Sequence, residues 1–381
     1  MKKICFITTI SGTLQSFVLN TAIYLHEHTD WDITFICNDD PGFAASLPEY
    51  IHYIPVTMER GISATGFKAM ARMRRIFKEQ HFDLIQYSTP NAACYASIAG
   101  RFAGVPVRLY CQWGLAYVGM SGLKRTVFKL IEKMVCRLST WVEPDSFGNL
   151  DFSHSEGLYP DSKGSVIWHG SASGVSLNKF DISRREEWRA EIRSKHAIPA
   201  DAPAFIFVGR ITRDKGINEL LQAWKRLSAK YADARLILVG NLENEELLDA
   251  ELLRWSQEDP AVIYAGYSNE VEKYFAASEV YVLPSYREGF GSAVVEAEAM
   301  GLPVIVTDIP GPTDAMQRDV TGLTVAKADA ADLQRAMETL LTDVPMRTRM
   351  GAAAFEWASQ NFEQQQLFAH ILEDRKTLLG D

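Results

Sequence analysis

Short, mostly apolar runs recur along this chain, several of them unbroken, and their spacing organises the rest of it. In the first half they fall at 4–9, 33–37, 52–56, 84–87, 107–111, 141–143 and 166–168; in the second, at 205–208, 235–239, 262–264, 280–283 and 304–307. Runs that are apolar at successive rather than alternate positions suit strands covered on both faces, as in parallel sheets. Between them the apolar period lengthens to that of helices, over 65–79, 124–137, 292–300 and 359–379 and from about 218 onward. This alternation predicts two doubly wound α/β sheets. The segment WHGSASGVSLNKF, 168–180, is rich in Gly, Ser and Asn and reads as the linker. We therefore expect an N-terminal domain over 1–178, a C-terminal domain over 179–358 and a terminal helical segment over 359–381.

Composition narrows the class. The 381 residues are 47% hydrophobic and 23% charged, ordinary values for a chain able to bury a large core. No apolar stretch approaches the ~20 residues of a membrane-spanning helix. Lys2 and Lys3 ahead of ICFI imitate the start of a signal peptide, but Thr8 and Thr9 end the apolar run at once. Five cysteines, never spaced CxxC, argue against a disulfide framework or a zinc site and for a reducing, cytoplasmic setting. No short repeat occurs, which removes solenoids and propellers.

Charge is divided unevenly. Residues 1–180 carry 17 Lys and Arg against 15 Asp and Glu, and 181–381 carry 22 against 33. Within the first half, 60–137 holds 13 basic residues and three acidic ones. Two helical stretches concentrate them. One has Lys68, Arg72, Arg74, Arg75 and Lys78 beside Phe67, Met70, Met73 and Phe77; the other has Lys124, Arg125, Lys129, Lys133 and Arg137 beside Val127, Phe128, Leu130 and Ile131. Cations among large apolar side chains suit the anionic face of a membrane, each adding about 1 kcal/mol near the surface. A solvated helix face is the plainer alternative. Nucleic acid fits least, since the net charge is −9 and no groove-reading motif accompanies the basic stretches.

In open parallel sheets, ligands bind beyond the carboxyl ends of the strands. After 205–208 comes GRITRDKG, in which Arg210 and Lys215, held between Gly209 and Gly216 ahead of a helix, can neutralise a diphosphate. An ordinary polar loop would carry the same cations. After 280–283 comes PSYREGFGSAVVEAEAMGLPVIVTD. Here Ser292 is placed to cap a helix, and the amides of Phe290, Gly291 and Ser292 can hold phosphate oxygens. Glu296 suits paired ribose hydroxyls, and Glu288 faces whatever the phosphate carries. Taken alone, two glutamates at a helix start serve equally to cap and solubilise it. Gly240-Asn241, after 235–239, can line a nucleotide pocket. His154 and His169 have no partner carboxylate in view and read as structural. No GxGxxG follows the first strand of either half and no GxxxxGK[ST] occurs, which sets aside dinucleotide oxidoreductases and P-loop ATPases.

The ordered set of GRITRDKG, then SYREGFGSAVVEAEAMGLPVI with its glutamates separated by seven residues, then TGLTV, resembles the donor half of family 4 glycosyltransferases over most of residues 165–325. The first half is similar in layout, and VRLYCQWGLAY and the linker resemble enzymes that extend lipid-linked sugars in surface polysaccharide and glycan assembly. The resemblance implies the GT-B fold, an α/β architecture of two doubly wound Rossmann-like domains facing across a cleft, with the terminal helix crossing back to the first domain. It implies a retaining transfer from a nucleotide-diphosphate sugar, UDP carrying GlcNAc, GalNAc or galactose, to a hydroxyl of a polyprenyl diphosphate-linked glycan. The enzyme would be cytoplasmic and peripheral, at the inner face of the cell membrane.

Residue by residue, the resemblance puts Arg210 and Lys215 on the donor diphosphate, Glu296 on the ribose, Glu288 at the reacting sugar, and the backbone of Phe290, Gly291 and Ser292 on sugar or phosphate. The chain departs from the family twice: Gly12 is the sole glycine of TTISGTLQS, where relatives have a glycine-rich loop, and Trp113 stands where many carry a histidine. Neither metal nor cofactor is expected, because Arg210, Lys215 and a helix N-terminus meet the charge developing on the leaving phosphate. That phosphate would itself take the acceptor proton. The apolar loop 114–123, GLAYVGMSGL, either dips into a membrane interface or closes over the site. Two rivals stay open: a GT-B enzyme of another reaction type, such as an epimerase or phosphorylase, and a non-catalytic scaffold subunit that binds nucleotide sugar.

Overall fold

The structure, a computed structural model, describes residues 1–59 and 65–381. Arg60, the first cation of the basic segment, lies outside the described residues. The chain divides into two compact units, Met1–Ser173 with Gln365–Asp381, and Gly174–Gln364.

Each unit is built on six parallel strands. The first holds β1 (Lys3–Ile7), β2 (Asp32–Cys37), β3 (Ile51–Pro55), β4 (Leu84–Tyr87), β5 (Val107–Gln112) and β6 (Trp141–Pro144), in the order β3-β2-β1-β4-β5-β6. The second holds β7 (Ala204–Val208), β8 (Arg235–Val239), β9 (Val262–Gly266), β10 (Val280–Leu283), β11 (Val304–Thr307) and β12 (Gly322–Val325), in the order β12-β11-β10-β7-β8-β9. Both orders are the same doubly wound topology, with β1 between β2 and β4 and β7 between β8 and β10. The winding reverses beside β1 and beside β7, and this opens a crevice at the carboxyl ends of those strands.

Why the apolar runs are unbroken is visible in β1. Ile4 and Phe6 pack on one side of the sheet with Leu14, Trp31 and Phe35, while Cys5 and Ile7 pack on the other with Met73, Phe77 and Tyr87. Both faces are covered by helices, so no position can be polar without cost. Over the helix Thr65–Gln80 the buried residues Ala69, Met73, Ile76 and Phe77 follow helical spacing and leave the cations outside.

The structure corrects three expectations. Residues 166–168 form no strand; Ile167 instead packs on Leu367, Phe368 and Ile371, and Trp168 turns the chain with φ 50°. The second sheet gains β12, an edge strand of only four residues, with Leu323 and Thr324 partly exposed. The terminal segment is not one helix from 359. Helix Val344–Asn361 ends before Phe362 and Glu363, which pair with Val175, and a separate helix Gln364–Leu379 joins the first unit. There Arg375, 1% exposed, donates to Glu143 at 3.0 Å and to Gln86 at 3.1 Å, pinning the helix across β4 and β6. The loop 114–123 contains a short turn, Ala116–Gly119, and buries Leu115 and Tyr117 while leaving Leu123 exposed. Among the described residues no helix is long and apolar enough to cross a membrane.

Candidate active site

At the carboxyl ends of β7, β8 and β10 the second unit's loops meet backbone to backbone. Gly216, at φ 73°, opens the helix Ile217–Ser228, and a Cβ there would lie 2.0 Å from the Pro284 carbonyl oxygen beyond β10. A Cβ on Gly240, at φ 144°, would lie 1.9 Å from the carbonyl oxygen of Gly209. Only glycine permits both approaches. Beside this contact lies a pocket of ≈ 380 Å³ whose walls include Arg210, Gly240, Asn241, Glu243 and Tyr267.

Lys215 forms an ion pair with Glu288 at 2.5 Å, both side chains mostly buried. The fold thus joins a cation chosen for the phosphate and the carboxylate chosen to face the sugar, although they come from loops on different strands. Arg210 is 51% exposed, 3.4 Å from Glu243 and 3.8 Å from Asp214. Asp214 also accepts from the Thr212 hydroxyl at 2.6 Å and from Arg287 at 3.1 Å. Burial alone would raise the Asp214 carboxyl, but the Thr212 hydrogen bond and the cations Arg287, Arg210 and Lys215 hold it below the ordinary range. Sequence reasoning passed over Asp214, Glu243, Arg287 and Tyr267. The first and third stand inside the motifs already singled out, and only their pairing across two loops marks them.

Phe290 is buried against Phe362, ring centroids 5.3 Å apart, so its side chain anchors the loop. The expected cap at Ser292 is not made. Gly291, at φ 86°, is the N-cap of the helix Ser292–Ala299 and makes Ser292 its first helical residue, turning the chain one position earlier than a serine cap would. The amides of Phe290, Gly291 and Ser292 donate no hydrogen bond among the described residues. In the second turn of that helix, burial pushes the Glu296 carboxyl up to about 7, with Lys179 opposing and Glu272 adding to the rise. Glu298, two residues on, is fully buried, and burial raises its carboxyl well above the ordinary range.

The first unit is arranged differently. Gly12 lies in the first turn of the helix Ser11–Phe17, with nothing within 4 Å of a Cβ placed on it, and so does not form the turn after β1. Hydroxyls tie that turn: Thr9 meets Thr89 at 2.8 Å and Ser11 donates to Asp40 at 2.6 Å. Trp113 packs on Phe17, ring centroids 5.5 Å apart. His154 sits 3.7 Å from Asp161, and His169 packs beside Trp168, where burial and then His370 hold its imidazole below its ordinary range. On the basic helices, Lys129 and Arg125 meet Glu156 at 2.7 and 3.4 Å, an acid beyond the basic segment. Arg74 donates to the Phe102 carbonyl at 3.5 Å. Lys68, Arg72, Arg75, Lys124 and Lys133 make no ion pair among the described residues. Among those residues, no group of three or more His, Cys, Asp or Glu is placed to hold a metal ion.

A family model described as glycosyl transferases group 1 matches residues 189–357, and one described as glycosyl transferase 4-like matches residues 3–142. The chain is 26% identical over 382 residues to the capsular polysaccharide biosynthesis glycosyltransferase CapM of Staphylococcus aureus, covering 100% of this chain and 98% of that one. It is also 26% identical to the N,N'-diacetylbacillosaminyl-diphospho-undecaprenol alpha-1,3-N-acetylgalactosaminyltransferase of Campylobacter jejuni, across 76% of this chain and 75% of that one. Among solved structures, Anabaena Alr3699/HepE in complex with UDP aligns with a TM-score of 0.79 at 19% identity, covering 99% of this chain and 100% of that one, a likeness of fold.

Proposed function

Starting from the premise that this chain belongs to the GT-B glycosyltransferases, with a 4-like domain followed by a group 1 domain, we propose that it moves a sugar from a UDP-sugar to a hydroxyl of a lipid-linked glycan, with retention of configuration. The observation that carries the reading is the Lys215–Glu288 pair, its carboxylate on the loop that carries three amides with no acceptor among the described residues. A diphosphate arriving at those amides competes with Glu288 for the Lys215 ammonium. Lys215 then meets phosphate, and Glu288 is released toward the sugar. The base occupies the pocket walled by Asn241 and Tyr267, and Glu296 accepts from the ribose hydroxyls.

As the glycosidic bond breaks, negative charge grows on the β-phosphate. Arg210, Lys215 and the amide end of the helix Ser292–Ala299 stabilise that state more than the bound donor. In this reading they meet the charge without a divalent cation or other cofactor, and the leaving phosphate takes the acceptor proton on the face from which it departs. The donor in this reading is UDP carrying GlcNAc, GalNAc or galactose, a class that includes the N-acetylgalactosaminyl group named for the diphospho-undecaprenol relative and the UDP bound by HepE. The first unit takes the acceptor side, its cations Lys68, Arg72, Arg75, Lys124 and Lys133, without an ion pair among the described residues, facing an anionic cytoplasmic membrane surface.

A thermal-shift series with UDP, GDP, ADP, NAD and their sugar conjugates tests the reading, since a ligand at a hundred times its dissociation constant adds about 2.7 kcal/mol. UDP-sugars are expected to stabilise the protein and to support transfer to a lipid-linked acceptor in EDTA, with the donor's anomeric configuration kept in the product. A shift with GDP conjugates alone overturns the donor assignment. Silence across the series favours a scaffold subunit.

A further inference from the structure

In the first unit the helices Thr65–Gln80, Pro90–Ala103 and Gly122–Leu138 enclose a pocket of ≈ 190 Å³. Its wall is mostly hydrocarbon and aromatic, with Phe67, Met70, Ile98, Phe128 and Ile131 among its residues and Asn91 at its polar margin. Among the described residues the one charged side chain in that wall, Glu132, is already served: its Oε1 accepts from the Tyr110 hydroxyl at 2.8 Å and from the Gln112 amide at 2.7 Å. Water entering this space finds few partners, and the pocket favours an apolar guest.

Three observations say which guest. The pocket is lined by Gly66, Pro90 and Ala116, which stand at or next to the start of the elements that follow β3, β4 and β5. It therefore opens at the carboxyl edge of the sheet, where a doubly wound unit takes its ligand. Of its lining residues Phe67 is 73% exposed, and Leu123 and Leu130, on the helix that supplies Phe128 and Ile131 to the wall, are 80% and 62% exposed, so apolar surface extends onto two of the pocket's helices. On those helices Lys68 follows Phe67 and Lys124 follows Leu123 in sequence, both without an ion pair among the described residues. A hydrocarbon chain that ends in phosphate at the ligand edge meets all three conditions. A bulk phospholipid has no reason to reach that edge.

We propose that this pocket holds the first isoprene units of the acceptor's polyprenyl chain, so that the first unit recognises the lipid carrier as well as the sugar it bears. The inference rests on the reading of the chain as an enzyme acting on lipid-linked acceptors and gives that acceptor a binding site for its lipid.

Cys94 supplies the test, since it lines the pocket and is partly exposed whereas Cys5, Cys37, Cys111 and Cys136 are buried. The full chain in detergent micelles is treated with N-ethylmaleimide, and modification of Cys94 is followed by mass spectrometry. Undecaprenyl phosphate is expected to slow that modification about tenfold, corresponding to about 1.4 kcal/mol of protection, and phosphatidylglycerol at the same mole fraction to leave it unchanged. An unaltered rate with undecaprenyl phosphate overturns the proposal, as does equal protection by phosphatidylglycerol, which would assign the pocket to bulk acyl chains. A second variant, Ile98→Trp, fills the pocket. It is expected to weaken undecaprenyl phosphate binding about tenfold while its thermal shift with UDP matches the parent's, and an unchanged affinity in that folded variant also overturns the proposal. Protection of Cys94 in a protein that no nucleotide stabilises would instead remove the enzyme reading and leave the lipid site standing.

Discussion

The two units share one strand order, yet they fasten the loops at their ligand edges by different means. In the second unit, backbone lies directly on backbone, Gly216 on Pro284 and Gly240 on Gly209. In the first, the turn after β1 is tied by side-chain hydroxyls, Thr9 to Thr89 and Ser11 to Asp40. Charge follows the same division. At the candidate site of the second unit, cations stand in opposed pairs, Lys215 with Glu288 and Arg287 with Asp214, whereas Lys68, Arg72, Arg75, Lys124 and Lys133 on the first unit's helices have no ion-pair partner among the described residues. A paired cation in a rigid frame is set to exchange its partner for one particular anion in one geometry. An unpaired cation on a helix face draws any anionic surface and is screened by salt.

The largest effect that sharpens this contrast is on turnover. Lys215→Ala and Glu288→Ala are each expected to lower kcat by about 10²–10³, the usual loss when one oriented stabilising group is removed, with the circular dichroism spectrum kept. Full activity in both variants would remove these residues from the chemistry. Next comes the backbone contact. Gly216→Ala should cost about 1–3 kcal/mol in denaturant unfolding because it forces a strained φ against Pro284, while Gly12→Ala, in an exposed helical turn, should gain about 0.5–1 kcal/mol. Equal effects at the two sites would break the comparison.

A further effect is one of pH. The folded Glu296 carboxyl, raised to about 7 from the ordinary 4.5, keeps its proton where the unfolded chain has lost it. Stability therefore falls as pH climbs from about 4.5 to about 7 and is flat above, and Glu296→Gln should remove that slope. If the carboxylate form holds the ribose, UDP affinity moves the other way. It should weaken about tenfold per pH unit below 7 in the parent and lose this dependence in Glu296→Gln, as read by titration calorimetry. A parent affinity independent of pH would take Glu296 off the ribose.

How far the sequence could be read depended on where the information lay. Both doubly wound sheets were legible because apolar runs such as 4–7 and 236–239 record burial on both faces in consecutive residues. The strand predicted at 166–168 fails because an apolar run does not say what it packs on, and Ile167 chose a helix two hundred residues away in sequence. β12 escaped notice because an edge strand buried on fewer sides needs fewer apolar residues. Within the candidate site, the residue types and their order stood in the motifs, but Ser292 gave up its capping role to a left-handed Gly291, which no pattern of letters announces.

What the sequence determined by itself was whatever neighbours along the chain decide: helix and strand periods, the uneven charge, and the order of the basic and glutamate loops. Tertiary structure alone decided which of those charges meet. It set Lys215 against Glu288, placed Glu156 on two cations of the basic helices, raised Glu296 by burial, and enclosed an apolar pocket among three helices. Ion pairing, desolvation and cavity shape depend on groups brought within a few ångströms of each other from distant parts of the chain, and sequence separation carries no measure of that distance.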